Sequence, residues 1–345
     1  RGILLLLHGS ILSRAGASGK GGAVQSARMS PTPNPLGLLS SRMERKGQTE
    51  SGLYLLTGVE ERISKLKVAY LHVVLEDAGG RMTGSIWPEH RHHTELPGLH
   101  SVVSVAGSVV PISNGTHLNV ERLAPVSVED VSYATDLLPR HRCPQKALPS
   151  FDALAAFERT LPSPLDGFLK RVLLDPGIGL PFLRCRASVA HHHAFEGGLL
   201  AHSTQMLDTA AVLARQVLPD DPTAPAMAQL GLLLHDVGKL RTVGETRRPQ
   251  GALVVPHEFV TIELLSPHLR WLERQNFELV LGLRHLLSYL ATPKKARPFA
   301  KYAVAEIIER LDELSAATHN RRDLVSLTSD KWRPPVSRTG IRPSS

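Results

Sequence analysis

The hydrophobic repeat of this 345-residue chain changes once, near residue 150, and that change constrains the fold more than any other feature. From Gly52 to Val126 apolar and polar residues alternate, the repeat of a strand whose successive side chains point to opposite faces. From Phe151 onward the repeat lengthens to about 3.6, the spacing of helices that each bury one stripe. Strands grouped first and helices grouped second exclude a βαβ sheet and predict an α+β chain of two domains. The length is enough for each to have its own core.

Five strands are expected, over Leu53–Glu60, Val68–Glu76, Arg81–Trp87, Val102–Ile112 and His117–Leu123. In the second, Leu71, Val73 and Leu75 share one face while Tyr70, His72 and Val74 share the other; in the third, Met82, Gly84 and Ile86 alternate with Arg81, Thr83, Ser85 and Trp87. Asp77-Ala78-Gly79-Gly80 and Ser113-Asn114-Gly115 are hairpin turn sequences, and the longer break from Pro88 to His100 divides the third strand from the fourth. The pattern predicts a small Greek-key barrel. Helices are expected over Phe151–Thr160, Leu165–Leu174, Gly198–Val217, Ala224–Lys239, Glu258–Glu273, Phe277–Leu290 and Tyr302–Thr318, with Ala252–Val255 the one short stretch that also reads as extended. The polar, proline-dotted residues 127–150 read as a linker. The expected order is a disordered leader (1–48), a barrel (49–126), a linker (127–150), a helical domain (151–325) and a disordered tail (326–345).

The formal charge of +8 points toward an anionic partner, but it sits at the ends. Residues 1–46 hold seven Lys or Arg against one acid and residues 326–345 hold four against one, which leaves the rest close to neutral. Net charge is therefore a poor argument for nucleic acid binding by the folded part. Two cysteines, Cys143 and Cys185, make neither a disulfide framework nor a CxxC metal knuckle, and point to a reducing, cytoplasmic setting. The apolar run Ile3 to Leu7 is too short to span a bilayer, and no other stretch reads as transmembrane, so a soluble protein without a membrane partner is expected. The Arg- and Ser-rich start reads as a leader or an upstream region, with Met29 or Met43 as alternative first residues.

The helical half contains a burial conflict. His235 and Asp236 follow the apolar run Leu232-Leu233-Leu234, in a segment that ought to be buried. Burying a neutral polar group without a partner costs roughly 2–7 kcal/mol, and a carboxylate costs more. A divalent cation removes the conflict, because imidazole and carboxylate are both ligands when deprotonated. His202 flanks the stripe of the helix that starts near Gly197-Gly198, and Asp312 lies beside the stripe Ile307, Ile308, Leu311 and Leu314. Three helices can thus aim His202, His235, Asp236 and Asp312 at one point, a usual place for a metal in a helical bundle.

The order H, then HDVGK, then a late D, with GGLLAHS around the first histidine, resembles the HD-domain superfamily of metal-dependent phosphohydrolases. That resemblance implies His202, His235, Asp236 and Asp312 as metal ligands, with His257 and His285 as further ligands of a second ion that Asp236 would bridge. Binuclear members often carry a His or Gly beside the position of His285, where this chain has Arg284 and Leu286. His268, after Pro267, lies in the same interval but at an expected irregularity. The cofactor implied is one or two divalent ions, with Mn, Fe, Mg and Zn all compatible with the donor set. His235, Asp236 and Lys239 are the catalytic candidates. His191, His192 and His193 before the first ligand, and Arg321 and Arg322 after the last helix, are candidate phosphate contacts.

The barrel segment, especially Leu75 to Gly84, resembles an OB-fold, whose second and third strands commonly hold single strands by stacking and charge. On that resemblance Tyr70, His72, Arg81 and Trp87 are the candidate nucleic-acid contacts; Tyr70 and Trp87 packing against a neighbouring element is the alternative. A barrel followed by an HD domain resembles the YhaM-like 3′→5′ exoribonucleases, while His191 to Ser203 resembles the HD domain of TraI-type, conjugation-related proteins. The resulting expectation is a metal-dependent phosphodiesterase or nuclease acting on single-stranded RNA or DNA. Its alternatives are a TraI-type protein of conjugative transfer or mobile elements, a nucleotide phosphohydrolase, and a non-catalytic nucleic-acid-binding accessory protein. The oligomeric state is left open.

Overall fold

Strand pairing follows the alternation in the sequence. The computed structural model describes residues 49–112, 115–190, 192–250, 252, 254–297 and 302–320. Strands β1 (Thr49–Ile63), β2 (Ala69–Asp77), β3 (Gly80–Ile86), β4 (Val102–Ile112) and β5 (Gly115–Pro125) close into a barrel in the order β1-β2-β3-β5-β4. Every neighbouring pair is antiparallel except β3 with β5. This is an OB-like barrel. β1 is longer than expected at both ends because it closes the cylinder, its first half pairing with β4 and its second with β2 around an irregularity between Leu56 and Gly58. Leu71, Val73 and Leu75 point inward with Met82 and Ile86, and meet Leu56, Val103, Val105, Leu118, Val120 and Leu123 in the barrel core. The inward and outward faces of β2 and β3 are those read from the sequence. Of the second hairpin turn, Ser113 and Asn114 lie outside the described residues.

Helices α1 (Leu148–Glu158), α2 (Leu165–Leu173), α3 (Gly179–Arg184), α4 (Gly198–Thr204), α5 (Leu207–Val217), α6 (Ala224–Leu234), α7 (Lys239–Thr242), α8 (His257–Gln275), α9 (Phe277–Ala291) and α10 (Ala303–Asn320) follow. Two expected helices are each divided. The one expected over Gly198–Val217 breaks at Gln205 and Met206, where no Gly or Pro stands, so the packing of α4 and α5 sets the break. The one expected over Ala224–Lys239 ends at Leu234, and His235 to Gly238 form a turn before α7. Pro267 is accommodated inside α8, so His268 is helical, and its Nε2 lies 3.0 Å from Asp175 Oδ2. Residues 252, 254 and 255 are turn and bend rather than strand.

The segment read as a linker is packed structure. Residues 127–150 wind through four short 3-10 turns, and Val131, Ala134, Leu137, Leu138, Cys143 and Ala147 are buried in the apolar cluster of the helices, together with Leu55 and Val102 of the barrel. These apolar positions follow neither period, which hides them from a periodicity reading. Buried Glu158 of α1 holds the segment by accepting from the backbone N–H of Ala134 (2.7 Å) and of Thr135 (3.0 Å) and from the Thr135 hydroxyl (2.6 Å). Burial nevertheless pushes its carboxyl above the usual range, against those hydrogen bonds. On the barrel side Arg142 lies 2.6 Å from buried Glu76, and the Ala78 N–H donates to the Asp136 carbonyl. Among the described residues no helix is long and apolar enough to cross a membrane. Cys143 and Cys185 are both free and buried, and burial raises their thiols to about 11 and about 12. The leader and the tail lie outside the described residues, as do His191, Arg321 and Arg322.

Candidate metal centre

The turn that ends α6 builds the first half of the site. The last carbonyls of a helix lack intrahelical partners, and His235 Nδ1 lies 2.8 Å from one of them, the Leu232 oxygen. This contact makes Nδ1 the protonated nitrogen and turns the Nε2 lone pair toward Asp236. Gly238, two residues on, is required by close approach, since a Cβ there would lie 1.9 Å from the His257 carbonyl oxygen. Its N–H donates to Thr261 Oγ1 (2.8 Å), and Thr261 donates in turn to the His235 carbonyl (3.0 Å). The start of α8 is thereby docked on the turn, which brings His257 Nε2 to 2.9 Å from Asp236 Oδ1.

The other half comes from α4 and α10. Gly198 begins α4 against the His193 carbonyl, which a Cβ would strike at 1.9 Å, and the helix places buried His202 opposite the turn. His202 Nε2 is 3.2 Å from Asp236 Oδ2 and 3.2 Å from Asp312 Oδ1. His235 Nε2 is 3.4 Å from Asp236 Oδ2 and 3.8 Å from Asp312 Oδ1. One donor atom from each of His202, His235, Asp236 and Asp312 lies within 4.8 Å of every other. Donors on opposite sides of an ion at roughly 2.0–2.4 Å stand about 4–5 Å apart, so the set has the dimensions of a coordination shell. The two Nε2 atoms are buried and make no hydrogen bond, although they face carboxylate oxygens. Two buried lone pairs and two carboxylates converging on one point fit a divalent cation.

Electrostatics agree with a site built around positive charge. Burial opposes ionisation of Asp236, but His235 and Lys239 outweigh it and hold the carboxyl far below its usual range; Lys239 Nζ is 2.5 Å from Oδ2. Burial likewise opposes the Asp312 carboxylate, and the imidazoles of His202 and His235 beside it hold it low. Burial pulls the His235 imidazole down, yet Asp236 and Asp312 push it up to about 9. Without metal, His235 takes the positive charge that the two carboxylates demand.

The site opens into a cleft of about 290 Å³ lined by His235, Asp236, Lys239, His257 and Asp312 with Glu258, Glu309 and Glu313. Arg297 pairs with Glu309 (2.8 Å), and Lys294 (2.7 Å) and Arg310 (2.6 Å) pair with Glu313, so the acidic rim is offset. The rings of His192 and His193 lie 5.6 and 5.7 Å from that of His202. His285 is not among the four donors that converge; its ring lies 6.2 Å from that of Tyr289, one turn on along α9, and 5.8 Å from that of Tyr302. Of the two histidines expected for a second ion, His257 stands against Asp236.

The candidate contacts on the barrel divide. The rings of Tyr70 and Trp87 pack against each other, tilted by 31° with centroids 4.8 Å apart, and His72 stands further along the same outer face of β2, opposite Ser85. Burial, followed by Arg62, lowers the His72 imidazole. Arg81 is at the other end of β3, opposite Glu76, away from the aromatic pair. His117 was not anticipated. The parallel pairing of β3 with β5 sets it beside Thr83, and its ring nitrogens lie 2.9 Å from the Thr83 hydroxyl and 2.8 Å from the Ser85 hydroxyl. Its ring is nearly parallel to that of His72, at 11°. Only the non-local pairing reveals it.

No family model matches the chain, and no curated protein matches it. Seven chains of solved structure do. One belongs to a replication protein A heterotrimer bound to single-stranded DNA, at 15% identity and a TM-score of 0.19, over 24% of this chain and 58% of that one. Another is the second OB-fold domain of replication protein A from Methanococcus maripaludis, at 16% identity and a TM-score of 0.20, over 24% of this chain and 87% of that one.

Proposed function

We propose that the chain is a metal-dependent phosphodiesterase of the HD type that holds single-stranded nucleic acid on its barrel and hydrolyses it at the helical centre. The observation that carries this reading is the convergence of His202, His235, Asp236 and Asp312, with two buried Nε2 atoms unsatisfied by any hydrogen bond. Residues from two helices and a turn, far apart in sequence, meet in the donor set that the motif order implies. Nucleic acid as substrate is supported by the adjacent Tyr70 and Trp87 rings on the outer barrel face, aromatic groups of the kind that take bases of any sequence.

A divalent ion, when bound, supplies Lewis-acid polarisation of a phosphate oxygen and a water acidic enough to attack near neutral pH. His202 and His235 offer it neutral nitrogen donors, and Asp236 and Asp312 offer the charge that balances it. Lys239 keeps Asp236 ionised and oriented. His257, at Oδ1 of Asp236, is placed to hold a proton or to ligate a further ion. His192 and His193, beside His202, are the phosphate contacts, which gives the segment resembling TraI-type proteins a role at the site. Action from a 3′ end is the specific form of the proposal, and it rests on the YhaM-like order of barrel and HD domain.

The test uses 5′-labelled single-stranded RNA and DNA with Mn²⁺, Fe²⁺, Mg²⁺ or Zn²⁺. Progressive shortening is expected, abolished by chelator and by Asp236→Asn in protein that remains folded. Full activity in Asp236→Asn would sink the mechanism. Release of phosphate from nucleotides without cleavage of any oligonucleotide would favour the nucleotide phosphohydrolase instead.

A further inference from the structure

The first ligand, His202, is gripped on both edges by one turn of α10. Asp312 Oδ1 stands 3.2 Å from Nε2, and Ser315 Oγ stands 3.3 Å from Nδ1. Positions three apart on a helix share a face, so Asp312 and Ser315 address the same ring from one rigid element. Ser315 is itself buried, at 3% exposure, and Gln205 of the α4–α5 break donates its amide N–H to the Ser315 oxygen. His193 Nε2 in turn lies 3.2 Å from Gln205 Oε1. A chain of polar contacts therefore runs from the histidine segment through Gln205 and Ser315 to the ligand ring.

The chemistry of that chain is directional. An imidazole that ligates through Nε2 carries its proton on Nδ1 and needs an acceptor there. His235 finds one in the Leu232 carbonyl of its own helix, and His202 finds one in the Ser315 hydroxyl of α10. The Ser315 hydroxyl has two acceptor sites; the Gln205 N–H fills one and the other remains for His202. We infer that Ser315, backed by Gln205, is a positioning residue that fixes the tautomer and ring plane of His202 for metal binding through Nε2. This rests on the metal-centre reading proposed above. It also gives the break between α4 and α5 a purpose, since Gln205 stands at that break.

The experiment titrates Co²⁺ into full-length protein and follows the visible absorption of the bound ion, and it records the exchangeable imidazole N–H signals of the Co²⁺-loaded protein by proton NMR in water. Outer partners of ligating histidines are typically worth about 10–100-fold in metal affinity. Ser315→Ala is expected to weaken Co²⁺ binding by about that factor and to lose or rapidly exchange one of the N–H signals. Gln205→Ala, at an exposed position that tolerates truncation, is expected to speed exchange of the same signal with a smaller loss of affinity. Ser315→Thr, which keeps the hydroxyl, restores the signal. Wild-type protein that binds Co²⁺ while Ser315→Ala and Gln205→Ala leave both affinity and signal unchanged would overturn this inference alone. Failure of the wild type to bind Co²⁺ would overturn the metal-centre reading and this inference with it.

Discussion

The outer barrel face and the candidate metal centre of the helical region are assembled by opposite routes. On the barrel, Tyr70, His72 and Trp87 come together through hairpin pairing of adjacent strands, over fewer than twenty residues of chain. In the centre, His202 and Ser315 meet across 113 residues, and the donors come from two helices and the turn after a third. A face made by local register tolerates substitution one side chain at a time, because the backbone bonds that place it do not depend on any of them. A buried cluster of mutually compensating charges does not, since each member holds the others in their ionisation states. The lesson is that the barrel face should lose affinity in graded steps, whereas the centre should fail as a unit.

The largest test of this contrast is Asp236→Asn. Loss of the carboxylate that faces His202, His235, His257 and Lys239 should remove metal binding and lower hydrolysis by roughly 10³-fold or more, while single-strand binding measured by fluorescence anisotropy stays as in the wild type. If oligonucleotide affinity falls in step with hydrolysis, the two regions are not separable. The converse change, Tyr70→Ala with Trp87→Ala, should weaken single-strand binding by roughly 5- to 150-fold, the equivalent of about 1–3 kcal/mol for a lost stacking contact. Co²⁺ affinity should not move, and a shift there would break the comparison from the other side.

Next in size is the joint between the two regions. Glu158→Ala leaves the Ala134 and Thr135 N–H groups without their buried acceptor, a cost of roughly 1–3 kcal/mol, read as a lower midpoint in urea. The same measurement by tryptophan fluorescence and far-UV circular dichroism should give coincident transitions, because segment 127–150 packs with both regions; two separated transitions would show that the regions unfold independently.

The smallest effect concerns His117. Burial, then the neighbouring His72, lowers its imidazole below 6.5 in the folded state. The folded protein thus binds fewer protons there than the unfolded chain. The contribution to stability is full above pH 6.5 and is lost as pH falls through the lower folded value. Replacing it by His117→Gln should flatten the pH dependence of the urea midpoint below pH 6.5. An unchanged slope would assign that dependence to other groups.

Much of both regions was legible in the residue order. Alternation in Ala69–Asp77 and Gly80–Ile86 gave the inward and outward sides of two strands, because a strand has only two faces and the core must take the apolar one. The burial conflict at His235-Asp236, with His202 and Asp312 in motif order, was visible because polar residues beside apolar runs require partners. What only the tertiary structure decided has a common physical cause: it depends on contacts between segments remote in sequence. The parallel β3–β5 pairing brought in His117, and the packing of α9 near the start of α10 set the His285 ring beside that of Tyr302. Apolar residues in 127–150 found a shared core without any regular period. Ser315 became visible as a partner of His202 only once α10 lay against α4. Chain composition and periodicity determined which faces are buried, while the packing of helices and strands decided which buried and exposed groups meet.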